Sequence, residues 1–387
     1  MSTNKPIPKL TLLIPVIMAM IWTIYSWQFI TQGIFWDLEI YEKAASIFNA
    51  GGNPYELNGY LSFVYQPIVL RAMAFFGKSL GSVLIVLYSA CVLFFLWSLG
   101  RNRSWWLYTF LAFAYCGIGT ISIGSGNVTV FFHLALLGIL LRHISIGNST
   151  AISPGPSFTG FILAVLLFGL VKPYLLAYLL IPLVMTWKSD QQKSTWTFTL
   201  VAGFFLAIIL LLSSLYFGAE FQAFLAAVQG QTIGKHDLGY GLVMYFYEYY
   251  SSAGPLIYRA FILHFAILSM LILAILYLAK RNQLIQKPHF VLLLYFLLTI
   301  LNPRLKVYDL FPALIALFIY ASALDQSKVV KALFILAYAL SLSQLAGTPL
   351  FVHTGILSNP LNAYYLTMGL ILLGLAPNLI AHKPLKT

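Results

Sequence analysis

FWDLEIYEKAASIFNAGGNPYELNGYLSFVYQP, residues 35–67, holds four of the chain's ten acidic residues: Asp37, Glu39, Glu42 and Glu56. Only 8% of the 387 residues are charged, and 60% are hydrophobic. The stretch directly follows the first long apolar run, at about 10–30. Ionised groups are costly inside a bilayer, so carboxylates gathered beside an apolar anchor mark polar work at a membrane surface. The rest of the chain agrees. A mean hydropathy of +0.88 lies far from globular composition, and continuous apolar runs of about 20 residues are the length of a bilayer span. The expected fold class is an all-α polytopic membrane protein, with one transmembrane domain over 1–387. A β-barrel would alternate apolar and polar residues, and these runs do not.

Reading apolar runs against their polar breaks predicts about twelve transmembrane helices. They fall at roughly 10–30, 79–99, 105–123, 127–141, 157–171, 174–187, 196–216, 256–279, 289–301, 309–324, 329–346 and 362–381. The first is too long for a signal peptide's apolar core and lacks a small-x-small site, so it reads as a retained anchor. The apolar stretch from 157 to 187 is broken at Lys172-Pro173. Proline disrupts a helix and a buried lysine costs about 2.5–3.5 kcal/mol on insertion scales, so two short helices are expected to meet at Lys172. Cys91 and Cys116 both lie in apolar runs and suggest no disulfide framework.

Charge sets the expected orientation. With both termini cytoplasmic, the inner segments carry fourteen of the 22 bases but only two acids, Asp190 and Asp325. That asymmetry is the positive-inside pattern of a multi-pass protein of the plasma or inner membrane. The net charge of +12 is thus a topology signal, and no nucleic-acid partner is expected. Both large polar loops, about 31–78 and 217–255, fall on the outer side. The inner loops are short and carry no glycine-rich phosphate motif, so chemistry is expected outside without a nucleotide-binding domain.

Within the first loop, Asp37 and Glu39 stand in the first turn of a predicted amphipathic helix, where carboxylates complement the helix dipole. Ile40, Ala44, Ile47 and Phe48 form its apolar face, and Gly51-Gly52 ends it. Asn53-Pro54-Tyr55 makes a turn, and a second short apolar helix follows Pro67, with Arg71 and Lys78 at the interface. Two readings of Asp37 compete: an N-cap accepting from nearby amides, or a general base at the membrane boundary. Glu39 can pair with Lys43 four residues on, while Glu42 and Glu56 read as solvated. Arg71 and Arg259 read as snorkelling interface residues. His133 and His264 lie within spans and read as satisfied core histidines.

The first loop, with its aspartate, its G-x-x-P-Y turn at Gly51–Tyr55 and its FVYQP step, resembles glycosyltransferase family 87. That family belongs to the C-type superfamily of polyprenyl-phosphate-sugar-dependent enzymes. GSGNVTVFFHLALL (124–137), VKPYLLAYLL (171–180) and LNPRLKVYDLFPAL (301–314) resemble further family segments in the same order. Gly126-Asn127 stands where the family has glycine-glutamine. The late loop lacks the Ser-x-Trp and histidine pattern of the mannosyltransferase branch.

The resemblance implies the C-type glycosyltransferase fold, with amphipathic helices in the first outer loop. It also implies a membrane enzyme moving a hexose, mannose first, from a polyprenyl-phosphate sugar to a lipid or glycan acceptor. Asp37 would be the catalytic base, with Glu39, Tyr41 and Tyr65 in support. One carboxylate serves a single inverting displacement, whereas retention requires a second as nucleophile. Glu39 lies two residues along the helix and points elsewhere. Lys172, Arg304 and Lys306 are the candidates for holding the donor phosphate. Lys235, His236, Asp237 and Asn127 are candidates for acceptor or loop contacts. No divalent metal or other cofactor is expected. The rival reading is a polytopic transporter or a flippase for a lipid-linked sugar, which would place ionisable and broken-helix elements near the midplane.

Overall fold

The structure is a computed structural model that describes residues 35–57, 63–100, 122–146, 156–187, 192–233, 256–287 and 289–323. Every regular element among the described residues is helical. Three helices, Pro67–Leu99, Gln192–Tyr216 and Arg259–Arg281, are long and apolar enough to cross a membrane. These are the features of a helical membrane protein. The expected spans at 10–30, 329–346 and 362–381, and nearly all of 105–123, lie outside the described residues, as do Cys116, Lys235, His236 and Asp237.

The first loop begins with α1 (Trp36–Asn49). Its buried face is Leu38, Ile40, Tyr41, Ala44 and Ala45, while Ile47 and Phe48 are only half-buried. The expected face is therefore rotated toward Tyr41 and Ala45, because the protein rather than lipid covers this helix. Gly51 lets the chain turn with φ +81°, and a 3₁₀ turn at Pro54–Glu56 comes next, with Asn53 accepting from the Tyr55 amide at 3.1 Å. α2 (Pro67–Phe76) then runs through the 3₁₀ turn Gly77–Ser79 into α3 (Leu80–Gly100). The short helix expected before the span is thus present, and Gly77, at φ 52° and ψ −126°, separates it from α3. Asn49 donates to the Ala74 carbonyl at 3.0 Å and ties α1 to α2.

Three helices form the centre: α4 (Val128–Ile146), α10 (Phe290–Ile300) and α11 (Val307–Ala323). Every residue of α10 is buried. α3 packs along α4, and α10 packs along α11. On the outside, α7 (Gln192–Tyr216) and α9 (Leu256–Arg281) expose apolar side chains such as Phe204, Leu215, Ile262 and Leu273. Such surface would be untenable in water and is suited to lipid.

The break at Lys172 is present. α5 (Pro156–Val171) stops there, and Lys172 itself is extended at φ −132°, ψ 92°. The chain beyond it departs from the expected span at 174–187. A 3₁₀ helix forms at Pro173–Leu179, and only then the short α6 (Leu180–Met185). Pro173 cannot donate to the preceding turn, and the first bond after it, Leu175 amide to Lys172 carbonyl at 3.0 Å, is already the tighter i to i+3 type.

The expected loop at 217–255 opens with a helix, α8 (Gly218–Ile233). Glu220 in its first turn meets Arg71 at 2.6 Å, and the Arg71 guanidinium lies 4.3 Å from the Phe217 ring centre and 5.2 Å from that of Phe48. Arg71 is thus a fastener between the two loops, which corrects its reading as a snorkelling residue. Arg259 is exposed.

Candidate functional site

Asp37 does not cap its own helix. The N-cap is Phe35, with no side-chain cap bond, and Asp37 sits inside the first turn. Its backbone amide, one of the orphan donors of a helix start, is satisfied by the Ser125 carbonyl at 3.0 Å. Its carboxylate turns to the opposite element: Asn127 donates from Nδ2 to Asp37 Oδ2. Oδ1 takes no hydrogen bond among the described residues, and the side chain is half-buried. The cap reading is therefore overturned by geometry. Asn127 does the capping instead, accepting the Thr129 amide at 3.0 Å on Oδ1 at the head of α4.

The approach of the two elements depends on Gly126. It has φ +67°, and a Cβ there would come within 2.7 Å of Phe35 Cδ1. Glycine alone meets both demands. Tyr88 donates to the Gly126 carbonyl at 2.8 Å and stacks on Phe131, fixing the turn from below.

Tyr41 and Tyr65 meet through their hydroxyls at 2.8 Å, and Tyr55 donates to the Tyr65 carbonyl at 2.9 Å. Burial raises both the Tyr41 and Tyr65 phenols, so they stay neutral and act as hydrogen-bonding struts. Lys172 lies with Nζ 4.1 Å from the centre of the Tyr65 ring, a cation–π contact that holds the ammonium over the loop. Arg304 and Lys306 come from the segment between α10 and α11. The Arg304 amide is held by Asn302 Oδ1 at 3.1 Å and the Lys306 amide by Asp309 Oδ2 at 2.9 Å.

The charges converge closely enough to act on one another. Burial raises the Asp37 pKa above the ordinary carboxylate value, opposed by the Asn127 bond and by the charges of Lys172 and Lys306. Burial, then repulsion from Arg304, brings Lys172 down to about 8, with Asp309 and Asp37 pulling the other way. Burial likewise brings Lys306 down to about 8 against the pull of Asp309 and Asp37. Lys172 and Lys306 thus each feel the charges of both Asp37 and Asp309. Lys172, Arg304 and Lys306 are all half-buried, so none is simply snorkelling into solvent.

Glu39 is exposed and does not join this group, and it forms no ion pair with the equally exposed Lys43. Among the described residues no cluster of three or more His, Cys, Asp or Glu side chains could hold a metal ion. The structure adds residues that the sequence did not single out. Asp309, 1% exposed, faces His133 Nε2 at 3.3 Å and accepts from Tyr174 at 2.5 Å. His133 Nδ1 meets Tyr295 at 2.6 Å and Tyr178 at 3.3 Å, and Tyr178 meets Thr299 at 2.5 Å. The available signal was an acid in the first turn of an apolar run, and a histidine within the second turn of another. His133 is satisfied as expected, but by a carboxylate and tyrosines rather than by backbone. His264 departs from its expected reading: Nε2 reaches the Leu301 carbonyl at 3.1 Å, but Nδ1 is buried with no hydrogen-bond partner among the described residues.

Comparison with models of protein families, with curated proteins and with solved structures gave no match.

Proposed function

We propose that the protein is an inverting membrane glycosyltransferase. Its donor is a hexose, mannose first, on a polyprenyl monophosphate, and its acceptor is a lipid or glycan hydroxyl at the outer face. The fold expected with this activity is the C-type arrangement of about twelve spans. The observation that carries the reading is the Asp37 carboxylate. It is turned away from its own helix, held by Asn127 through one oxygen with the other unbonded among the described residues, and set in the field of Lys172 and Lys306.

The chemistry rests on those groups. Asp37 accepts the proton of the acceptor hydroxyl as that oxygen attacks the anomeric carbon. The bond from the anomeric carbon to the phosphate oxygen breaks, and its electron pair leaves with the polyprenyl phosphate. Lys172, Arg304 and Lys306 stabilise the charge that the leaving group gains. A single carboxylate at the attacking oxygen suits direct displacement, with inversion of configuration. Elevation of the Asp37 pKa strengthens it as a base near neutral pH.

The test is transfer of labelled mannose from polyprenyl-phosphate mannose to a membrane lipid extract in proteoliposomes. Asp37→Asn keeps the shape and removes the base, and should cut kcat by about 10²–10⁴ while the protein remains inserted. Transfer at near wild-type rate would remove Asp37 from the reaction.

A second reading, transport or flipping of a lipid-linked sugar, draws on the buried His133–Asp309 pair and the helix break at Lys172. The same vesicles separate the two. Movement of intact donor across the bilayer, without a new glycosidic bond, would favour the carrier.

A further inference from the structure

Asp309 is buried in the first turn of α11 with both oxygens committed. Oδ1 takes the Tyr174 hydroxyl at 2.5 Å and faces His133 Nε2 at 3.3 Å. Oδ2 takes the Lys306 amide at 2.9 Å and Asn302 Nδ2 at 3.2 Å. Each partner sits on a segment that carries a charge-bearing or carboxylate-holding residue of the site. Tyr174 is two residues beyond Lys172. Asn302 and Lys306 bound the segment containing Arg304, and Asn302 also fixes the Arg304 amide. His133 is on α4, whose N-terminal cap is Asn127, the residue on Asp37. His133 is backed in turn by Tyr295 and Tyr178, so the carboxylate is braced from the bundle side.

We propose that Asp309, braced by His133 and Tyr174, is the positioning residue that gathers Lys172, Arg304 and Lys306 into one phosphate-binding geometry. The identity of that phosphate as a polyprenyl monophosphate rests on the function proposed above. Asp309 touches neither reacting atom. It ties the 3₁₀ helix after Lys172, the 302–306 segment and α4 to one another. Loosening it spreads the cations apart and leaves Asp37, held by Asn127, where it was. The deficit therefore falls on phosphate affinity and not on proton transfer.

The experiment measures binding of undecaprenyl phosphate to the purified full-length protein in detergent, then donor KM and kcat in proteoliposomes. Tyr174→Phe removes one donor to Asp309 with little change of volume, and Asp309→Asn removes the charge. Each should weaken binding about tenfold or more and raise the donor KM to match; kcat should fall as well, because the same cations stabilise the leaving group, while the acid limb of the pH profile, set by Asp37, stays where it is in the wild type. Equal binding by wild type and both variants would overturn the positioning role, as would a fall in kcat that tracks a lowered thermal midpoint, which marks a merely structural part. If Asp309→Asn does not insert, Tyr174→Phe decides alone. Absence of binding by the wild type would bring down the polyprenyl-phosphate reading as well. Wild-type binding with unaffected variants would sink only the inference about Asp309.

Discussion

Asn127 and Asp37, ninety positions apart, share one hydrogen bond in which the head of α4 grips the first turn of α1. Asn127 spends its oxygen on the Thr129 amide and its amide nitrogen on the carboxylate, so one side chain caps a core helix and aims the proposed base. Removing it has two separable effects. Asn127→Ala should cost about 1 kcal/mol of stability through the lost cap. Misaiming Asp37 should also lower kcat roughly tenfold to a hundredfold with donor KM little changed. Thermal unfolding read beside steady-state kinetics checks both; an unchanged kcat would mean that Asp37 aims itself.

The pH profile of kcat/KM should be a bell. The proposed base would work ionised, so the acid limb should rise with pH through the Asp37 pKa, which burial places above the usual carboxylate value of about 4. The ammonium groups proposed to hold the phosphate would work protonated, so the alkaline limb should fall as pH passes about 8, where Lys172 and Lys306 lose charge. Arginine stays charged throughout. Replacing both lysines by arginine should therefore flatten the alkaline side, and a wild-type profile level to strongly alkaline pH would contradict the assignment.

Gly126→Ala tests how tightly the two elements meet. The position has φ +67°, and the new methyl group would press on Phe35 at 2.7 Å. Strain and clash together should destabilise by more than about 1 kcal/mol. Because Phe35 immediately precedes the first turn of α1, transfer should fall with stability. Retained thermal stability in the variant would show that the turn can relax.

Arg71 and Glu220 join α2 and α8 at 2.6 Å, with both side chains partly open to solvent. Exposed pairs contribute little, so Glu220→Gln should cost below about 1 kcal/mol. Arg71→Ala also loses stacking over Phe217 and Phe48 and should cost more. A double-mutant cycle on thermal unfolding separates charge from packing; equal losses for the two single variants would deny the stacking contribution.

Much of this was legible in the chain because membrane insertion leaves coarse marks. Apolar length marked α3, α7 and α9, and the Lys172-Pro173 step marked a break. The carboxylates after the first run drew attention to Asp37, and Tyr41 and Tyr65, expected near it, meet each other through their hydroxyls with Lys172 above the second ring. Periodicity could not exclude the cap reading of Asp37, since the partner that takes its carboxylate, Asn127, comes from the head of another helix. The 3₁₀ form of Pro173–Leu179 was hidden for a related reason, because an apolar run looks alike in either helix. The Asp309 cluster was hidden most deeply. His133, Tyr174, Tyr295 and Asp309 each look like an isolated polar residue in an oily stretch, and only the fold brings them together. Lys235, His236 and Asp237 lie outside the described residues.

The brevity of α10 bears on how a substrate arrives. Its eleven residues reach only about 16 Å, roughly half the thickness of a hydrocarbon slab of about 30 Å. Sheathed on all sides, the helix need not match that slab. Under the proposed function, that shortness would set the segment bearing Arg304 and Lys306 below the headgroups. There a phosphate on a long isoprenoid tail could slide in sideways without lifting the tail from the oil, while a water-soluble sugar nucleotide would have to dive.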